Sequence, residues 1–125
     1  MKLYIDTNVY LDYFLDRRNS KYAEKIFFQT VRCKHQIILS NHLVSELSRN
    51  IEWNKVILLF QMLKHKLIDV KLEEEDKEFA KTMPTHYADA LHIVLAKKAE
   101  ADAIITNNLK DFESIFKTYS PESFR

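Results

Sequence analysis

Five acids punctuate the apolar runs of this 125-residue chain. Asp6 directly follows Leu3-Tyr4-Ile5, Glu46 lies in a helical stretch after Gln36-Ile37-Ile38-Leu39, and Asp89 stands near the start of a helix beyond Pro84. Asp102 and Asp111 flank Ala103-Ile104-Ile105-Thr106-Asn107-Asn108. In an open parallel sheet, ligands bind outside the carboxyl ends of the strands, where the strand order reverses. If the first and fourth strands are neighbours, Asp6 and the Thr106-Asn107-Asn108 segment face one crevice. Carboxylates converging there repel one another unless a hard divalent cation neutralises them. Oxygen ligands with open positions suit Mg2+ or Mn2+ rather than zinc. Such a cation polarises phosphodiester oxygens and lowers the pKa of a bound water, as phosphodiester hydrolysis requires. Read alone, Asp6 serves equally well as a helix cap, because acids after strands also cap helices.

The elements that must position these acids alternate. Short apolar runs at residues 3–5, 36–39, 67–70 and 103–105 read as strands, with a weaker one at Thr118-Tyr119. Helical periodicity marks 9–15, 21–31, a stretch through Leu43, Val44 and Leu47, then 52–66 and 87–99. Glu73-Glu74-Glu75-Asp76 opens another helix, where acids favour the positive end of the dipole, and Pro84 ends it. A short helix is expected around Phe112 to Phe116. Strands alternating with helices imply βαβ units, hence a three-layer α/β/α sandwich with a parallel sheet of four to five strands. The length fits one domain, residues 1–125.

Composition removes several enzyme classes. There is no glycine at all, where roughly nine would be expected at average usage. A dinucleotide fingerprint, a Walker A loop and a nucleophile elbow are therefore absent. The single cysteine, Cys33, reads as a passive thiol and cannot build a disulfide or a Cys-based zinc site. No apolar stretch approaches the ~20 residues of a membrane span, and the N-terminus does not read as a signal peptide, so a cytoplasmic location is expected. Residues 1–66 carry eleven Lys/Arg against six Asp/Glu, whereas residues 67–125 carry eight against twelve. The basic half can supply phosphate contacts from Arg17, Arg18, Lys21 and Arg49, although the same residues also read as solvated helix faces.

Four segments together resemble the PIN-domain nuclease family. They are Ile5-Asp6-Thr7-Asn8-Val9, Ser45-Glu46-Leu47, Tyr87-Ala88-Asp89-Ala90-Leu91-His92, and Ala101 through Asn108 with Lys110-Asp111-Phe112. The compact length most resembles the VapC-type toxins of prokaryotic toxin–antitoxin pairs. This resemblance implies a five-stranded parallel sheet, Mg2+- or Mn2+-dependent endoribonuclease activity on RNA, frequent homodimerisation and an antitoxin partner. Asp6 and Asp89 match the family's direct metal ligands, and Glu46 matches the second acid, often acting through a water. Thr106 matches the hydroxyl that ends the fourth strand. The last metal-site position, usually Asp but often Asn, falls on Asn108. Asp111 matches the acid of an Asp-Phe pair with a mainly structural role, and Asp102 reads as structural where the fourth strand begins. A phosphatase of similar design would want a second acid two residues after Asp6, where Asn8 stands.

Plainer readings accompany these. Glu46 could be a solvated helix residue. His42, four positions before Glu46, can share its helix face, but a histidine ligand suits a softer metal, so packing or surface exposure is expected of it. His86 and His92 flank Asp89 by three residues each and read as ordinary polar packing, with a hydrogen bond to a metal ligand as the alternative. Asp12 is expected on the exposed side of the first helix. The surplus aromatics of the N-terminal helices are expected in the core, and any left exposed would mark a dimer or antitoxin surface. Two other functions stay open: an RNA-processing nuclease without antitoxin, and a catalytically idle interaction module on the same fold.

Overall fold

The computed structural model describes residues 1–32 and 35–124, so the thiol of Cys33 lies outside the described residues. Five parallel strands form one sheet: β1 (Lys2–Ile5), β2 (Gln36–Ser40), β3 (Leu67–Val70), β4 (Ala103–Ile105) and β5 (Thr118–Tyr119). Their spatial order is β3-β2-β1-β4-β5. The chain builds outward from β1 on one side and then crosses back to place β4 on its other side. Leu3, Tyr4 and Ile5 pair with Ala103, Ile104 and Ile105, so the two strands end level. This is the reversal of strand order that the acids require.

Alternation along the strands sorts the helices into two layers. Leu3, Ile5, Ile37, Ala103 and Ile105 face a core built with α1 (Thr7–Phe14), α2 (Ser20–Val31), α3 (Asn41–Ser48) and α4 (Trp53–Leu63). Tyr4, Ile38 and Ile104 face the opposite layer, where α6 (Tyr87–Lys98) and α7 (Leu109–Phe112) pack. Outside α6 lies α5 (Glu74–Lys81), joined to it through Ala80, Ala90, Leu91 and Val94. Every residue from Ala90 to Ala96 is buried, because α6 is clasped between the sheet and α5. The acidic opening of α5 is a helix start: the Glu73 backbone N–H donates to Asp76 at 2.8 Å.

Three expectations shift. The long fourth helix stops at Leu63, and Lys64–Lys66 tighten into a 3-10 turn that runs into β3. The last helix spans Leu109–Phe112 rather than 112–116: Phe112 is fully buried, and its carbonyl accepts from Ile115 and Phe116, closing the chain into a turn. Helix α1 begins at Thr7, immediately behind Asp6. Among the described residues, no helix is long and apolar enough to cross a membrane.

Candidate metal centre

Asp6 directly follows β1 in an extended conformation at the N-cap of α1, yet its side chain makes no capping hydrogen bond. Its carboxylate instead accepts from Thr106 Oγ1 across the strand ends at 2.8 Å. Its backbone N–H donates to the Ile105 carbonyl at 2.9 Å. The neighbouring strand therefore holds Asp6 at both backbone and side chain. Only 5% of the residue is exposed. Burial pushes the carboxyl above its ordinary pKa, against the opposing pull of His92, Thr106 and the Thr7 amide.

Glu46 reaches the same place from α3. Ser40 caps that helix by accepting from the Leu43 N–H at 3.0 Å, which sets the helix against the end of β2. Glu46 Oε1 accepts from Thr7 Oγ1 at 2.6 Å and lies 2.9 Å from His92 Nε2. Partial burial works to raise its pKa, but these two partners outweigh that and hold it at about 2. Asp89 comes from the first turn of α6. Burial raises its pKa, and the charges of Asp111 and Asp6 raise it further. The pocket thus contains one well-compensated carboxylate and two that resist ionisation. A hard cation would relieve both.

Asp6, Thr7, Asn8, Glu46, Arg49, Asp89 and His92 line a cavity of about 290 Å3 together with Leu11, Asn50 and Ala88. A larger cleft of about 450 Å3 beside Pro84 holds Asp111 as its one carboxylate. Oxygen donors on this acidic floor suit a hard divalent cation.

The remaining candidates divide. Asn8 is exposed at the pocket rim. Asn108 does not line the cavity: its amide nitrogen donates to Asp111, and its backbone N–H donates to Thr106 Oγ1 at 3.1 Å. Asp111 lines the neighbouring cleft beside Pro84 and acts on Asp89 through its charge. Asp102 pins the start of β4 to β1, accepting from the Lys2 N–H at 2.7 Å. Of the basic residues, Arg49 reaches the pocket, Arg17 lies 3.9 Å from Asp12, Arg18 is exposed beyond α1, and Lys21 lines a separate cleft on α2.

Two side chains depart from their expected settings. Asp12 is 7% exposed rather than solvated, because α1 turns it toward the loop after β4, where Asn107 Nδ2 donates to it at 2.6 Å. His92 is more than ordinary packing: it bridges Glu46 and the Tyr4 hydroxyl, 2.8 Å from its Nδ1. Its placement one helical turn beyond Asp89 was the available signal. Nothing local in the sequence ties Tyr4 or Thr7 to these acids.

A family model described as the PIN domain matches residues 2–110. Three solved structures share the fold at low identity. VapBC2 from Rickettsia felis, bound to a DNA fragment from its promoter, has a TM-score of 0.67 at 15% identity, covering 96% of this chain and 98% of its own. A toxin–antitoxin complex from Klebsiella pneumoniae has a TM-score of 0.66 at 20% identity, covering 95% and 97%. VapC20 of Mycobacterium tuberculosis, a sarcin–ricin loop cleaving toxin, has a TM-score of 0.65 at 12% identity, covering 91% and 95%. No curated protein sequence matches the chain. With the acids gathered at the reversal of strand order and the family model spanning most of its length, the chain belongs to the PIN-domain family.

Proposed function

We propose that this protein is a divalent-metal-dependent endoribonuclease acting in the cytoplasm as the toxin of a toxin–antitoxin pair. The observation that carries the chemistry is the single pocket lined by Asp6, Glu46 and Asp89 at the β1/β4 reversal. These three residues would hold Mg2+ or Mn2+. When bound, that ion neutralises the carboxylates and makes water a nucleophile near neutral pH. The chain's own contribution is orientation. Thr106 fixes Asp6, while Thr7 and His92 fix Glu46, so the floor is assembled before substrate arrives. Arg49 at the rim offers a charge for an RNA phosphate. In the hydrolysis, a water oxygen bonds to phosphorus, the P–O3′ bond breaks and the 3′ oxygen takes up a proton. The products are 5′-phosphate and 3′-hydroxyl ends.

The toxin reading draws on the similarity to the Rickettsia and Klebsiella toxin–antitoxin structures. RNA cleavage should vanish in excess chelator and return with Mg2+ or Mn2+. Asp6→Asn should lower kcat by roughly 100- to 1000-fold, matching the several kcal/mol expected of such a cation. Full cleavage by a folded Asp6→Asn protein, or in chelator, would refute the mechanism.

A further inference from the structure

Beside the oxygen-lined floor stands a set of donors of a different character. His42 Nε2 lies 3.7 Å from Glu46 Oε2, and His92 Nε2 lies 2.9 Å from Glu46 Oε1. The two imidazole rings tilt across one another with centroids 5.2 Å apart. One ligand atom from each of the three residues fits within a 4.8 Å span. Around a tetrahedral ion with bonds near 2.0–2.2 Å, ligand atoms sit roughly 3.4 Å from one another, so this spacing needs little adjustment.

Two further observations mark the cluster as more than packing. His42 Nε2 is shielded from solvent and makes no hydrogen bond, an unusual state for a buried ring nitrogen. On the other ring, His92 Nδ1 is held by the Tyr4 hydroxyl, which also contacts Ser40 Oγ at 3.0 Å. In the metal-free protein Nε2–H donates to Glu46; a cation at Nε2 would displace that proton, with Nδ1–H then donating to the Tyr4 hydroxyl while Tyr4 donates to Ser40. A second hydrogen bond that fixes the tautomer in this way is typical of metal-ligating histidine.

We propose that His42, Glu46 and His92 form a cation site distinct in chemistry from the all-oxygen floor, suited to nitrogen-preferring transition ions such as Zn2+ or Co2+. Imidazole donors favour those ions over Mg2+. Glu46 and His92 also line the acidic pocket, so an ion held by this cluster would be open to it. Glu46 is common to both sets of donors. An ion bound to the histidines withdraws this carboxylate from the floor, so Zn2+ should inhibit Mg2+-supported cleavage. The binding claim stands on the three residues alone; only the inhibition rests on the nuclease reading.

Co2+ is the probe, titrated into the wild-type protein in excess Mg2+. One equivalent should bind with visible absorption bands of a low-coordinate, nitrogen-ligated ion. His42→Gln should lose those bands and weaken Co2+ at least about tenfold, yet hold Mn2+ within about threefold of wild type. Absence of the bands in wild type, or their persistence unchanged in His42→Gln, overturns the proposal. Should His42→Gln fail to fold, Co2+-shifted imidazole proton resonances in the wild-type protein decide the matter: two shifted rings support the site, and their absence refutes it. Loss of Mg2+-dependent cleavage with an intact cobalt site would instead refute the nuclease reading alone.

Discussion

The three pocket carboxylates differ in what their charge does to the apo protein. Asp89 is pushed toward its neutral form by burial and by Asp111 and Asp6, so its ionisation works against the fold. Stability from such a group falls as pH rises from the ordinary Asp range through the raised folded value. In chelator near neutral pH, Asp89→Asn should therefore melt a few degrees above wild type, and with Mg2+ restored it should lack RNA cleavage. A lower melting temperature would mean that the charge is compensated. Glu46 has the opposite sign. Its pKa of about 2 against an ordinary 4.5 gives stability that is present above the ordinary value and lost as pH falls toward 2. Glu46→Gln should destabilise the protein at pH 6 by on the order of 2 kcal/mol, with the gap narrowing as pH approaches 2. Urea titrations across that range check it; a constant gap would show that the contacts of Glu46 are not charge-dependent.

At the scale of elements, a chain without glycine must end its helices by other means. Asp16, after α1, and Glu100, after α6, both take positive φ, 51° and 58°. Behind Glu100 the Ala101 N–H donates to the Ala96 carbonyl at 2.9 Å, and behind Asp16 the Arg17 N–H donates to the Asp12 carbonyl at 3.0 Å. These are the hydrogen bonds of helix ends that glycine usually serves. Asp tolerates the left-handed region through its short polar side chain, whereas Glu bears more of the roughly 1–2 kcal/mol cost. Glu100→Gly should accordingly stabilise the protein by about 0.5–1 kcal/mol, net of glycine's greater freedom when unfolded. An unchanged or lowered urea midpoint would show that Glu100 carries no such strain. The turn matters beyond stability, since it leads directly into Asp102 and β4, whose end holds Asp6.

Over the whole molecule, the aromatic surplus divides between interior and surface. Tyr10 and Phe27 are buried against each other, 5.4 Å between centroids. Along α4, however, Trp53, Leu58 and Met62 stay exposed, Leu58 by 67%, and Leu15 is exposed as well. Leu58 and Met62 flank a groove of about 590 Å3 with Tyr13 and Phe14. An apolar strip of this kind suits a self-complementary contact, and twofold pairing is the commonest closed assembly. The homodimer we propose uses this face. Leu58→Glu should weaken association by more than about tenfold without changing the melting temperature appreciably, as sedimentation equilibrium would read. A wild-type protein that remains monomeric at high concentration would refute the dimer.

Much of this architecture was legible before folding was considered. Apolar runs and their periodicity placed the strands and most helices, because burial on one face or both is a local property of the pattern. The family segments likewise pointed to Asp6, Glu46 and Asp89, which do line one pocket. What tertiary structure alone decided is partnership. Asp6 meets Thr106 across 100 positions, His92 meets Tyr4 across 88, and His92 meets Glu46 across 46. Such pairings depend on strand register and on how far each helix is rotated about its axis, and no periodicity encodes either. For the same reason Asp12 is drawn inward by Asn107, and Asn108 is turned to Asp111 rather than to the cavity. Residue type and spacing determined the chemistry available to this chain; the order β3-β2-β1-β4-β5 decided which groups share it, by bringing the ends of β1 and β4 side by side.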